Sequence, residues 1–157
     1  MMPSRREQIA MPDAEVRSYL EAGRRIILVT NGPGGMPHPV PMNYGLDPQG
    51  RIILTAFAKS QKVKNLERDP RATLLVESGA AYGELRGVIA WCNAEILSGP
   101  DEVVRYMAMV RAAPATAQSI SGTRDEQVRA SMAKRVILRL TPFRYASWDH
   151  ARLGDFY

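Results

Sequence analysis

Between Lys59 and Arg71 the sequence KSQKVKNLERDPR gathers five cations and a serine at the join of a strand-like run and a short helix-like one. Val63 and Leu66 stand three apart, as one buried face of a short helix places them. Ser60 is then the expected N-cap and Pro70 the stop. A helix start offers unpaired backbone N–H groups and the positive end of the dipole. Ser60, Lys59 and Lys62 therefore suit an anion cradle, and phosphate is the anion such cradles most often hold. On spacing alone a second reading is open, in which Lys59, Lys62, Lys64, Arg68 and Arg71 form an ordinary solvated face.

The flanking segments set out the frame that must position this turn. Arg51 to Phe57 (RIILTAF) reads as the strand leading into it. Upstream, Asp13 to Ala22 is a helix with Asp13 as its cap, and Arg24 to Thr30 is a buried strand. After the NGPGG turn, His38 to Leu46 alternates, with His38, Val40, Met42, Tyr44 and Leu46 on one side. Prolines at 37, 39 and 41 lack ladder donors and push this strand to an edge. Downstream, Ala72 to Glu77 is a fourth strand and Leu85 to Leu97 a fifth, with a bend expected at Gly87. Ser98 and Asp101 suggest a capped helix through Val110, followed by helices over Pro114 to Ile120 and Thr123 to Ala133. Val136 to Leu140 and Phe143 to Trp148 are expected as two last strands around Pro142.

Short turns between strands imply antiparallel pairing and a closed or half-open barrel, so the expected fold class is mainly β with helices (α+β). One domain spans residues 1–157, with a helical insertion at about 99–133. The glycines near Asn31 lead into a strand and lack GxGxxG spacing, which excludes a dinucleotide loop. A net charge of +5 favours anionic partners. The basic residues come with no nucleic-acid-binding motif, and no apolar run reaches the roughly 20 residues of a membrane helix. A single cysteine, Cys92, excludes an intrachain disulfide and a cysteine zinc cluster, and His38 and His150 lack acidic neighbours for a metal site. Cys92 is expected in the core and the protein in the cytoplasm. No Ser-His-Asp or Cys-His arrangement stands out, and no catalytic residue is assigned.

The segments TNGPGGMPHPVPMNY, SQKVKNLERDPRATLLVE, ELRGVIAWCNAEI and LTPFRYASWDH resemble the flavin-binding split-barrel superfamily of pyridoxamine 5′-phosphate oxidase. They are similar more narrowly to its small flavin- and deazaflavin-dependent oxidoreductases. The resemblance covers most of residues 13–150 and implies a six-stranded antiparallel split β-barrel of the FMN-binding type, a homodimer, and FMN in a groove shared by two subunits. It places Lys59, Ser60 and Lys62 at the cofactor phosphate and Asn65 as the residue fixing the turn. Pro41, Met42 and Asn43 run beside the isoalloxazine ring, and Thr55, Ala56 and Phe57 lead into the phosphate site. Trp148 reaches the ring or the partner subunit, and Arg86 and Gly87 lie on a strand near the dimer contact.

The chain lacks the arginine and lysine pairs and the C-terminal arginine signature with which true pyridoxamine phosphate oxidases hold substrate phosphate. That argues against vitamin B6 oxidation. Trp91 stands where several relatives have glycine and narrows a pocket there. The expected function is a flavin-dependent oxidoreductase passing hydride to or from a small molecule. The alternatives are a reductase using a phosphorylated deazaflavin (coenzyme F-420), and a non-catalytic flavin- or haem-binding protein of the same fold.

Overall fold

The structure is a computed structural model and describes residues 3–110 and 130–154. In order, the chain forms α1 (Arg5–Ile9), α2 (Asp13–Ala22), β1 (Arg25–Asn31), β2 (Pro37–Asn43), β3 (Gly45–Leu46) and β4 (Ile52–Phe57). These are followed by α3 (Gln61–Arg68), β5 (Arg71–Ser78), β6 (Arg86–Leu97), α4 (Pro100–Met107) and β7 (Arg135–Asp149). The strands make one antiparallel seven-stranded sheet in the order β2-β1-β5-β6-β7-β4-β3.

The seventh strand arises from a break in the expected run His38 to Leu46. At Tyr44 the chain leaves the β1 edge, where β2 pairs, and joins the β4 edge, where β3 pairs. The two extreme strands of the sheet are thus one residue apart in sequence, and the sheet curls into a half-barrel. Tyr44 is 1% exposed and donates its hydroxyl proton to the Leu20 carbonyl at 2.5 Å, fastening the crossover to α2. Gly45 follows because the Met109 carbonyl lies against it, where an added Cβ would stand 1.7 Å away.

Alternation divides the sheet into two faces. Ile26, Leu28, Ile52, Leu54, Leu74, Val88, Leu138 and Leu140 fill the barrel interior with Val63 and Leu66 of α3. A smaller outer cluster, Ile53 and Ile137 against Val103 and Tyr106, seats α4 on the back of β4 and β7. Cys92 is in the inner core, and burial pushes its thiol pKa up to about 12. Pro37, Pro39 and Pro41 pair opposite Asn31, Val29 and Ile27, so every missing donor falls on the free edge of β2. That edge cannot take another strand in full register.

Several local expectations give way. The irregularity in β6 lies between Trp91 and Cys92 and not at Gly87. Trp91 pairs with Arg144 and Cys92 with Pro142, which leaves Phe143 as the extra residue of a bulge. The two final strands are therefore one, because a bulge absorbs the donor that Pro142 lacks. Asp13 is the first helical residue of α2 and Pro12 occupies its cap. Gly99 with Pro100 begins α4, so Ser98 does not cap it, and the helix stops at Met107 instead of Val110. The short α1 was not expected; it is closed by a capping box between Ser4 and Glu7. The helix expected over 114–120 lies outside the described residues, as does that over 123–133 except for its helical end at 130–133.

Candidate functional site

β3 pairs with β4 through Gly45 with Ile53 and Leu46 with Ile52. Continued backward, that register would set Asn43 against Thr55 and Pro41 against Phe57. Instead β2 is bonded to β1, so these two segments form the lips of the opening in the barrel. Pairing with β7 sets the directions on β4: Thr55 and Phe57 share the outer face with Ile53, while Ala56, 3% exposed, belongs to the inner core. Met42 also packs inward. Of the six lip residues, Pro41, Asn43, Thr55 and Phe57 present side chains outward, whereas Met42 and Ala56 leave only backbone at the opening.

The chain turns from β4 into α3 at the end of this opening. The Ser60 N–H donates to the Phe57 carbonyl at 2.9 Å, and the Ser60 carbonyl accepts from Val63 and Lys64 at 3.1 and 3.2 Å. Ser60 holds the cap position by its backbone, but its side chain makes no capping bond. Its hydroxyl is buried and has no partner. The N–H groups of Gln61 and Lys62 open the helix, where no preceding carbonyl can accept from them. Lys62 is half-buried and Lys59 exposed, and neither makes an ion pair among the described residues. One buried hydroxyl, two amides and two lysines without ion pairs among the described residues thus fall within four consecutive positions at the start of α3. A buried hydroxyl without a partner is uncommon in a native fold.

Asn65 faces the opposite way. It is fully buried; its amide donates to Thr30 Oγ1 at 2.9 Å and its carbonyl accepts from Gln61 Nε2 at 2.8 Å. Its side chain therefore fixes α3 on β1, buried beneath the helix away from solvent. Arg68 and Arg71 are also engaged, Arg68 with the Asn31 carbonyl and Arg71 with Asp69. The basic run thus divides into Arg68 and Arg71, which hold structure, and Lys59, Lys62 and Lys64, which do not.

Trp148 is not gathered with the others. It lies on β7 eleven positions beyond Ile137, the partner of Thr55, which is roughly 35 Å along an unbent strand. There its ring covers Gly87, where an added Cβ would meet the indole at 2.2 Å. The glycine is thus required for close approach of a ring. Nearby, Glu15 binds both Arg86 and Arg152, and Arg86 also reaches Asp149. Trp91, half-buried on the outer face, lies beneath the Arg144 guanidinium and lines a cavity of about 280 Å³ with Val29, Thr73 and Phe143.

Sequence reasoning missed Arg135. It pairs with Phe57 and its guanidinium lies 4.4 Å from the ring centroid, while the neighbouring Lys134 carbonyl accepts from the Ala58 N–H. Nothing local marks it, because about 75 residues separate it from the turn and only the β4–β7 register joins them.

The chain is thus a half-barrel opened between β2 and β4, with a buried unpaired hydroxyl beside the first amides of α3 at the end of β4. The model of the pyridoxamine 5′-phosphate oxidase family matches residues 12–149, and the chain belongs to that family. A conserved hypothetical protein of Mycobacterium tuberculosis is 36% identical, with a TM-score of 0.81 over 99% of this chain and 95% of that one. A FAD-binding protein of Mesorhizobium loti is 14% identical, with a TM-score of 0.66 over 88% of this chain and 94% of the other. An F-420 reductase is 20% identical, with a TM-score of 0.60 over 83% and 94%. The last two likenesses show the fold alone. No curated protein matches the sequence.

Proposed function

We propose that the chain is a flavin-dependent oxidoreductase that binds FMN in a homodimer groove and passes hydride to or from a small substrate. The observation that carries this reading is the buried Ser60 hydroxyl, unpartnered beside the open amides of α3. Leaving such a group unsatisfied costs about 1 to 3 kcal/mol, and a phosphate oxygen supplies the missing acceptor. Ser60 and the Gln61 and Lys62 amides would donate to that phosphate, and Lys59 and Lys62 would balance its charge. A terminal phosphate monoester is close to a dianion at neutral pH, which matches two lysines. The phosphodiester of a deazaflavin carries a single charge, so FMN is the better fit and the deazaflavin (coenzyme F-420) the second.

Bound flavin supplies the hydride chemistry, and the chain's own work is to hold and orient it. Pro41, Asn43, Thr55 and Phe57 offer outward side chains on the two lips for that purpose. Support for a dimer comes from the outer sheet face. Ile27, Leu75 and Ile89 form one half-exposed row across β1, β5 and β6, and Val29, Thr73 and Trp91 form the next.

Titration of the purified protein with FMN and, in parallel, with the deazaflavin tests the reading. Micromolar or tighter binding of FMN, reduction of the bound flavin by a nicotinamide donor, and a dimer by sedimentation are expected. Preference for the deazaflavin would exchange the cofactor. Tight binding without turnover would make the chain a carrier, and binding of neither would remove the cradle assignment.

A further inference from the structure

Arg135 separates two different environments. One side of its guanidinium rests on the Phe57 ring at the cradle. Arg135 also lines a cavity of about 390 Å³, which Gly99, Pro100, Val104, Met132 and Ala133 line with it among the described residues. The register explains the meeting, since Leu97 pairs with Ile137 and the chain continues past Gly99 into α4 beside Arg135. None of these five described wall residues carries a polar side chain. Arg135 itself is half-buried and makes no ion pair or hydrogen bond among the described residues. Val104 is 57% exposed and Phe57 49% exposed, so apolar surface stays open on both flanks of the charge.

One cation without an ion pair, at a chamber wall that is otherwise apolar among the described residues, selects for a ligand with the same division. A neutral hydrocarbon leaves the charge unanswered, and a hydrophilic anion leaves the walls wet. The volume is within the roughly 300 to 1,000 Å³ of small-molecule sites. We propose that this chamber binds an amphipathic carboxylate, its apolar chain among Pro100, Val104 and Met132 and its carboxylate on Arg135. A planar guanidinium meets a carboxylate through two parallel hydrogen bonds, which favours this anion over a neutral head group. As a binding site the chamber stands by itself; its identification as the substrate site rests on the cofactor reading given above.

Calorimetric titration of the full-length protein with octanoate and with 1-octanol, with and without FMN, tests this. Octanoate is expected to bind at least tenfold more tightly than octanol. Arg135→Gln should abolish that difference, and Val104→Trp, which enlarges an exposed side chain at the chamber wall, should weaken both ligands at least tenfold while leaving FMN affinity unchanged. Equal binding of the two ligands to the unmodified protein would overturn the proposal, as would octanoate affinity indifferent to Val104→Trp. Octanoate binding as described with no FMN binding would leave the chamber standing and remove the cofactor reading. FMN binding without octanoate binding would do the reverse.

Discussion

At its C-terminal end α3 is tied down on every side. Asn65 bonds Thr30 and Gln61, Arg68 reaches the Asn31 carbonyl, and Asp69 accepts from Asn31 and from Arg71. At its N-terminal end the same helix leaves a buried hydroxyl, two amides and two lysines without acceptors. An eight-residue helix has little stability of its own, so its placement depends on Val63, Leu66 and the anchored end. The contrast shows how a short helix keeps one end open. The satisfied end carries the cost of holding the unsatisfied one in place, and a ligand at the open end then meets groups already oriented.

The sharpest way to break this division is at Asn65. Asn65→Leu removes the partner of the buried Thr30 hydroxyl and of the Gln61 amide, and the expected loss is about 3 kcal/mol of folding stability. A denaturant midpoint unchanged from the unmodified protein would show that the anchored end is not what holds α3. Lys62→Ala acts on the other end. It should weaken FMN binding by about 2 kcal/mol, the scale of a hydrogen bond to a charged group, and leave the denaturant midpoint in place. Equal affinity in a fluorescence titration would remove the lysine from the cradle.

Ser60→Ala is smaller and more discriminating, because the two possible roles of the hydroxyl predict opposite stability changes. A capping serine loses about 1 kcal/mol when replaced by alanine. Here the hydroxyl caps nothing, so removing it should leave the ligand-free protein equally stable or slightly more so. FMN affinity should fall by about 1 kcal/mol. Loss of stability with unchanged affinity would return Ser60 to an ordinary cap.

The two ends were not equally legible in the sequence. The helix, its serine start and its cations follow from local spacing, which is why the cradle could be named from thirteen residues. The division of the cations could not. Arg68 and Lys64 look alike in the run, and only the β1–β2 turn brought beneath the helix consumes the arginine. Outward alternation on β4 follows from period two, yet Ala56 and Met42 came with their neighbours because a contiguous motif does not distinguish faces. Arg135 and the break at Tyr44 depend on pairing across the whole chain. The Pro142 interruption was visible, but a bulge at Phe143 keeps one strand where two were expected.

The smallest expected effect concerns acid at the anchored end. The Arg71 side chain, then the Asn31 amide and the Arg71 N–H, hold the Asp69 carboxyl well below the usual carboxylate range. Because the folded state lowers this pKa, it favours the charged form. The contribution is complete above the unfolded value of about 4 and is lost as pH falls from there toward the folded value. Asp69→Asn should therefore be less stable than the unmodified protein at pH 6, and the gap should close as denaturant midpoints are followed down to about pH 2.5. Arg71 is largely exposed, and solvent screening keeps the effect slight. FMN affinity at neutral pH should not change, since Asp69 lies at the end of α3 remote from Ser60. A gap that stays constant with pH would mean that the carboxylate contributes shape and not charge. A fall in FMN affinity would mean that the two ends of α3 are coupled, and that the anchored end tunes the open one as well as holding it.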